Sequence, residues 1–195
     1  GARGTAGLQW LGTSETWLDV NNIYTTKDTV IAEAQGEYNR STMPFFFIEG
    51  AYENDRATGT ETRQQAWQAV LSGATGQLMG EELIWPFATN WQARLDSEGA
   101  STLIHLRTLL ESYAWWTLVP DFANAFLTGG MGSSAARAPA ARAADGSFAI
   151  IYTRDIRNLT VNIGLLAGSQ VRARCYDPTS GSFATASGSP LVSIR

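Results

Sequence analysis

Cysteine and histidine are almost missing: the 195 residues hold one of each, Cys175 and His105. One cysteine excludes an internal disulfide. One histidine excludes a multi-histidine metal site, and no Cys/His/Asp spacing resembles a zinc centre. No Ser–His–Asp set assembles around His105, which lies among apolar residues in a helical stretch and reads as structural. Cys175, in a strand-like run, reads as a small buried hydrophobe. Charge is scarce too, at 16% of residues with a net of -4. The most basic stretch, Arg137 to Arg142, has only two arginines separated by alanine and proline. A nucleic-acid partner needs a basic stripe to neutralise phosphates, so that class is set aside. No apolar run approaches the roughly 20 residues that cross a bilayer, so no membrane partner is expected. No signal-peptide pattern stands out. Gly1 is not a natural start, so the N-terminus is expected to be cut, processed or engineered.

What is present is a globular composition, 44% hydrophobic, with seven tryptophans. Most of the seven are expected in the core, with one or two in a site where a flat indole face can stack on a sugar ring. Residues 1–16 read as a loop and Thr16 to Ile23 as a strand. Thr26 caps a helix from Lys27 to about Tyr38, with Ile31, Ala34 and Tyr38 on one face. Phe45 to Ile48, behind Pro44, form an unbroken apolar block, the pattern of a strand buried on both faces. Thr58 and Glu61 form a capping box for a helix from Glu61 to Ser72. Arg63, Trp67, Val70 and Leu71 line one stripe of it, and Gly73 ends it. Ala74 to Gly80 read as a short strand, Glu81 to Gly99 as a loop, and Ser101 to Ala114 as a helix.

Strand then helix, three times over, predicts parallel strands with right-handed crossovers. Three such units do not close a (β/α)8 barrel, which takes roughly 250 residues. Either the sheet is open or the other strands lie on another chain. After residue 126 the character changes. Residues 127–144 read as a linker rich in glycine, alanine, serine and proline. From Asp145 onward, Phe148 to Thr153, Leu159 to Ile163, Gln170 to Tyr176 and Val192 to Ile194 read as short strands. Asp177 to Gly181 form a turn between them, giving a small antiparallel sheet or sandwich.

Glu49 is the first candidate for chemistry. It follows a wholly apolar strand, at the end where barrel enzymes carry their active sites. A carboxylate there needs hydrogen bonds, a cation such as Arg63, or a function to offset its desolvation. Tyr52, three residues on, either orients Glu49 or is an ordinary loop residue. Asp19 and Asn21, read as the end of the first strand, point to one side together and line the same face. Gln77 ends the third strand. Trp85 and Trp91, in the loop beyond it, either stack on sugar or pack beneath the loop.

The order PFFFIEGAYEN (Pro44 to Asn54), Arg63 in a tryptophan-bearing helix, GATGQLMG (Gly73 to Gly80), IWPF with Trp91, and WWTLVPDF (Trp115 to Phe122) resembles the apiosidase-like glycoside hydrolases of family 140. The tail, with IYTRD, LTVNIGLLAG and ARCYDPTSG, is similar to the β-domain, labelled collagen-binding, that often follows in that family. The resemblance spans about residues 14–195. It implies an α/β fold: the C-terminal strands and helices of a (β/α)8 TIM barrel over 1–126, then a small antiparallel β-sandwich over 145–195. It implies a secreted or periplasmic retaining glycoside hydrolase acting on polysaccharide side chains, with Glu49 as nucleophile. Asn21, Tyr52, Gln77, Trp85 and Trp91 would be substrate-binding, and no cofactor or metal would be needed. The acid/base would lie upstream of Gly1. The implied partners are a carbohydrate and either the missing N-terminal barrel part or a second copy of the chain. The family's GHTYG is GQLMG here, with Gln77 and Met79 in place of histidine and tyrosine. The alternative is a non-catalytic carbohydrate-binding or structural assembly module on the same scaffold.

Overall fold

The computed structural model describes residues 5–6, 11, 16–40 and 43–192. Strand β1 (Thr5–Ala6) lies antiparallel to β2 (Asn21–Tyr24), and β2 runs parallel to β3 (Phe45–Glu49). Asn21 stands opposite Phe45 and Tyr24 opposite Glu49, with a register shift between Ile23 and Tyr24. Helix α1 (Val30–Arg40) joins β2 to β3. Residues 75–80 then run beside β3: Thr75 N–H donates to Phe45 O at 2.8 Å and Leu78 N–H to Phe47 O at 2.9 Å. Phe47 and Gln77 form a parallel bridge. The predicted third strand therefore follows β3, but only as a bridge rather than a long ladder.

Helix α2 (Gly59–Leu71) starts at the capping box read from the sequence. Glu61 N–H donates to Thr58 Oγ1 at 3.2 Å, and Thr58 N–H donates to Glu61 Oε2 at 3.0 Å. It stops before Gly73, whose φ of +99° is open to glycine at little cost. Helix α3 (Glu98–Glu111) begins at Ser97, whose side chain accepts from Ala100 N–H. That start precedes the Ser101 suggested by the periodicity.

Side-chain alternation sends Phe45 and Phe47 onto Ile23, Val30, Ala34, Ala69 and Ala74. Ile48, on the opposite face, is exposed. The apolar block is thus covered on its helix face only. A second core joins the earlier helices to the later strands. Trp67 of α2 stacks on Tyr152 with centroids 5.3 Å apart and planes within 8°. Leu106, Leu109 and Leu110 of α3, with Ala141, close around the pair.

The later strands are short and antiparallel. β4 (Leu118–Pro120), β6 (Ala140–Ala143) and β7 (Ala149–Ile151) form one sheet, and β5 (Leu127–Gly129) pairs with β8 (Thr160–Val161). β9 (Gln170–Val171) pairs with β12 (Leu191–Val192), and β10 (Arg174–Tyr176) with β11 (Phe183–Thr185). The expected linker over 127–144 contains β5 and β6. Ala138, Ala140, Ala141 and Ala143 are buried rather than part of a flexible connection: Ala141 packs with Ala66, Trp67 and Leu106, and Ala138 and Ala140 with Phe126, Leu127 and Leu166. Cys175 is also corrected. Tyr176 turns inward toward Trp67, so alternation turns Cys175 out, and it is exposed. The strand expected over Val192 to Ile194 overlaps β12 at Val192, and residues 193–195 lie outside the described residues.

Candidate active site

Glu49 closes β3, at the end of the sheet from which residues 50–58 and 81–97 leave. It is half-buried. The alternative ion pair with Arg63 is not formed. Arg63 is buried on α2 and turns to Glu98 at 3.4 Å and Thr102 at 3.3 Å. Among the described residues, no cation lies within salt-bridge distance of Glu49.

The Tyr52 phenol stands beside Glu49 instead. Burial raises the Tyr52 phenol to about 12, and its hydrogen bond to the Glu49 carboxylate and the charge of Glu49 act in the same direction. Tyr24 and Glu82 add smaller contributions of the same sign. All four groups therefore share one electrostatic neighbourhood. At physiological pH the phenol is protonated and able to donate. The Tyr52 ring lies against Gly80. A Cβ at residue 80 would fall inside the van der Waals envelope of that ring. Glu53 N–H donates to Gly80 O at 2.9 Å and Glu82 N–H donates to Glu53 O at 3.0 Å, stitching the two loops together beside the carboxylate.

The remaining predicted residues divide. Asn21 is a correction: it opens β2 rather than closing it, so it lies at the opposite end of the sheet from Glu49. It is 1% exposed and donates to the Glu37 carboxylate of α1, which also accepts from Arg40 at 2.8 Å. Asp19 precedes the strand at that same end. Gln77 is opposite Phe47, short of the strand end, and lines a cleft of about 490 Å³ along α3 with Leu103, Leu106, Leu110 and Trp115. It does not join Tyr52 and Glu49.

Trp85 and Trp91 lie in the loop that leaves residue 80. Glu81 shapes the start of that loop: its carboxylate accepts from Leu83 N–H at 2.8 Å, Ile84 N–H at 2.9 Å and Asn54 Nδ2 at 2.7 Å. Trp85 is 71% exposed. Trp91 is half-buried, edge-on to Phe87 at 5.3 Å and 79°. Phe87 itself was not singled out from the sequence. It is 70% exposed, with a φ of +52°, a conformation costly for a bulky side chain. Tyr24 and Glu82 also escaped the sequence reading. The one available signal for Glu82 was its place two residues after the glycine that ends the third strand. His105 packs its ring at Gly181, and its carbonyl accepts from Tyr176 Oη at 2.8 Å.

Two solved structures resemble the fold. A glycoside hydrolase family 5 protein from Bacteroides vulgatus ATCC 8482 superposes with a TM-score of 0.81 at 18% identity, over 93% of this chain and 47% of its own. A second structure, described as a glycoside hydrolase, gives 0.80 at 19% identity, over 93% of this chain and 49% of its own. The chain thus spans about half the length of the solved structures it resembles. The fold shared with these glycoside hydrolases is mixed α/β with small antiparallel sheets. The chain belongs to the apiosidase-like family: the model described as "Apiosidase-like, catalytic domain" matches residues 5–117. A second model, "Putative collagen-binding domain of a collagenase", matches residues 119–191. No curated protein sequence matches the chain.

Proposed function

We propose that the chain is the C-terminal part of a (β/α)8 glycoside hydrolase in which Glu49 is the nucleophile of a retaining reaction on carbohydrate. The observation that carries this is the place of Glu49 at the carboxyl end of β3, half-buried beside the Tyr52 phenol and, among the described residues, with no cation in salt-bridge distance. A carboxylate tied to a cation is a poorer nucleophile. One oriented by a single phenol keeps an oxygen free to attack.

In the reaction, a Glu49 oxygen bonds to the anomeric carbon while the glycosidic bond breaks, and an acid protonates the departing oxygen. Water, deprotonated by that same group, then displaces Glu49 and releases the sugar. The two carboxyl groups stand about 5–5.5 Å apart in retaining enzymes. The second carboxyl comes from the remainder of the barrel. The exposed Ile48 and Leu78 support a covering partner on that side of the sheet. Trp85, Trp91 and Phe87 offer apolar faces to the sugar.

The test is hydrolysis of polysaccharide by the enzyme assembled with the rest of its barrel, with and without Glu49→Gln. Loss of turnover in the variant, and a covalent adduct on Glu49 from a 2-fluoro glycoside with a good leaving group, are expected. Full activity of Glu49→Gln overturns the assignment. The replacement of histidine and tyrosine by Gln77 and Met79 in GQLMG favours a second reading, a carbohydrate-binding module without turnover. Glycan binding that survives Glu49→Gln, with no hydrolysis by the assembled wild type, would select it.

A further inference from the structure

Glu53 is a carboxylate that the proposed reaction does not use, yet it is 5% exposed. Its side chain accepts from Ser97 Oγ at 2.6 Å, and both of its oxygens accept from Gly99 N–H at 3.2 Å. Among the described residues no cation pairs with it. Its charge is offset by donors at the start of α3, where the helix dipole also favours an anion. Two glycines make room for it. A Cβ at Gly59, the first residue of α2, would approach Glu53 Oε1 to 2.8 Å, and one at Gly99 would approach Oε2 to 2.6 Å. Its backbone is engaged as well, with its N–H on Gly80 and its carbonyl accepting from Glu82. One residue therefore ties together the loop carrying Tyr52, the strand end carrying Gly80 and Glu82, and the first turn of α3.

A buried anion is an expensive way to fill space, because an apolar or amide side chain would avoid its desolvation. The gain is rigidity: short charge-assisted bonds hold a fixed geometry better than packing alone. We propose that Glu53 is a positioning residue for Tyr52, pinning the backbone around Gly80 so that the Tyr52 ring keeps its place beside Glu49. The proposal rests on the reading of Glu49 as nucleophile for its effect on rate, and on the Glu53 contacts and the Tyr52 ring against Gly80 for its effect on Tyr52.

The experiment is Glu53→Gln in the assembled enzyme, with two readouts. Glutamine has the same shape but replaces one of the two oxygens facing Gly99 N–H with an NH2 donor and removes the charge. The expected kcat falls roughly 10²-fold, the scale of a misplaced reacting group, with KM within about twofold of wild type. Ultraviolet titration, assigned by difference against Tyr52→Phe, is expected to show the Tyr52 phenol dropping from about 12 toward the ordinary value. Glu49, Tyr24 and Glu82, the groups that face this phenol, are unchanged in the variant. A purely structural Glu53 would lower Tm and leave both readouts in place, which overturns the proposal. If Glu53→Gln does not fold, Ser97→Ala removes one donor and must shift both readouts less, in the same direction; no shift overturns it equally. Should Glu49→Gln keep full activity, the nucleophile assignment falls, while the Tyr52 titration still judges the clamp.

Discussion

The charge of Glu49 is felt at the Tyr52 phenol. Removing that charge in Glu49→Gln withdraws two of the causes that raise the phenol and leaves burial, with the smaller contributions of Tyr24 and Glu82. Its titration is therefore expected below about 12 but still above that of a free tyrosine. Spectrophotometric titration of the variant checks this. Tyr52→Phe removes the donor instead. A hydrogen bond to a charged group contributes about 1.5–3 kcal/mol, so a roughly 10- to 100-fold loss of kcat/KM is expected from steady-state kinetics. Glu49 and Tyr52 were both legible in the sequence, because a carboxylate ending an apolar strand and a tyrosine three residues on are local patterns. Phe87 and Glu53 were not. Nothing within a few residues of Glu53 announces that Ser97 and Gly99, far along the chain, will wrap its carboxylate.

Elements declared themselves where their ends are local. The Thr58–Glu61 box and Gly73 bracket α2 as read from the sequence, and Thr58→Ala is expected to cost about 1 kcal/mol by denaturant midpoint. Elements whose ends depend on a distant partner were misread. β2 starts at Asn21 because its ladder with β3 starts there, not where the apolar pattern begins. The run from Gln170 to Tyr176 splits because β9 and β10 pair with different strands, β12 and β11. The hairpin between β10 and β11 carries its own pH signature. Thr179, first through its hydroxyl and then its N–H, and Ser180 hold the Asp177 carboxyl at about 2. Because that value is depressed in the folded state, its stabilisation is complete above about pH 4 and is lost as the pH falls toward about 2. Thermal unfolding of wild type and Asp177→Asn across the acid range is expected to show a difference that shrinks on acidification.

At the scale of the molecule, the two family-matched segments share one core. Trp67 of α2 and Tyr152 beyond β7 stack, and burial raises the Tyr152 phenol while Arg63 opposes it. Trp67→Ala removes a buried indole from the centre of that seam and is expected to cost about 3–5 kcal/mol. It should lower a single unfolding transition rather than one of two, as calorimetric and van't Hoff enthalpies that agree would show.

What the sequence determined by itself was whatever periodicity, capping and composition carry within a few residues: α2, the strand ending in Glu49, the antiparallel tail, and a resemblance whose family the chain indeed matches. Tertiary structure decided which end of a strand a side chain occupies, which carboxylates are buried, and whether an alanine-rich stretch is linker or core. Those depend on contacts between residues far apart in the chain. Asn21 and Glu37, Glu53 and Ser97, and Trp67 and Tyr152 meet only once the helices have packed, and no local pattern of side chains records that meeting.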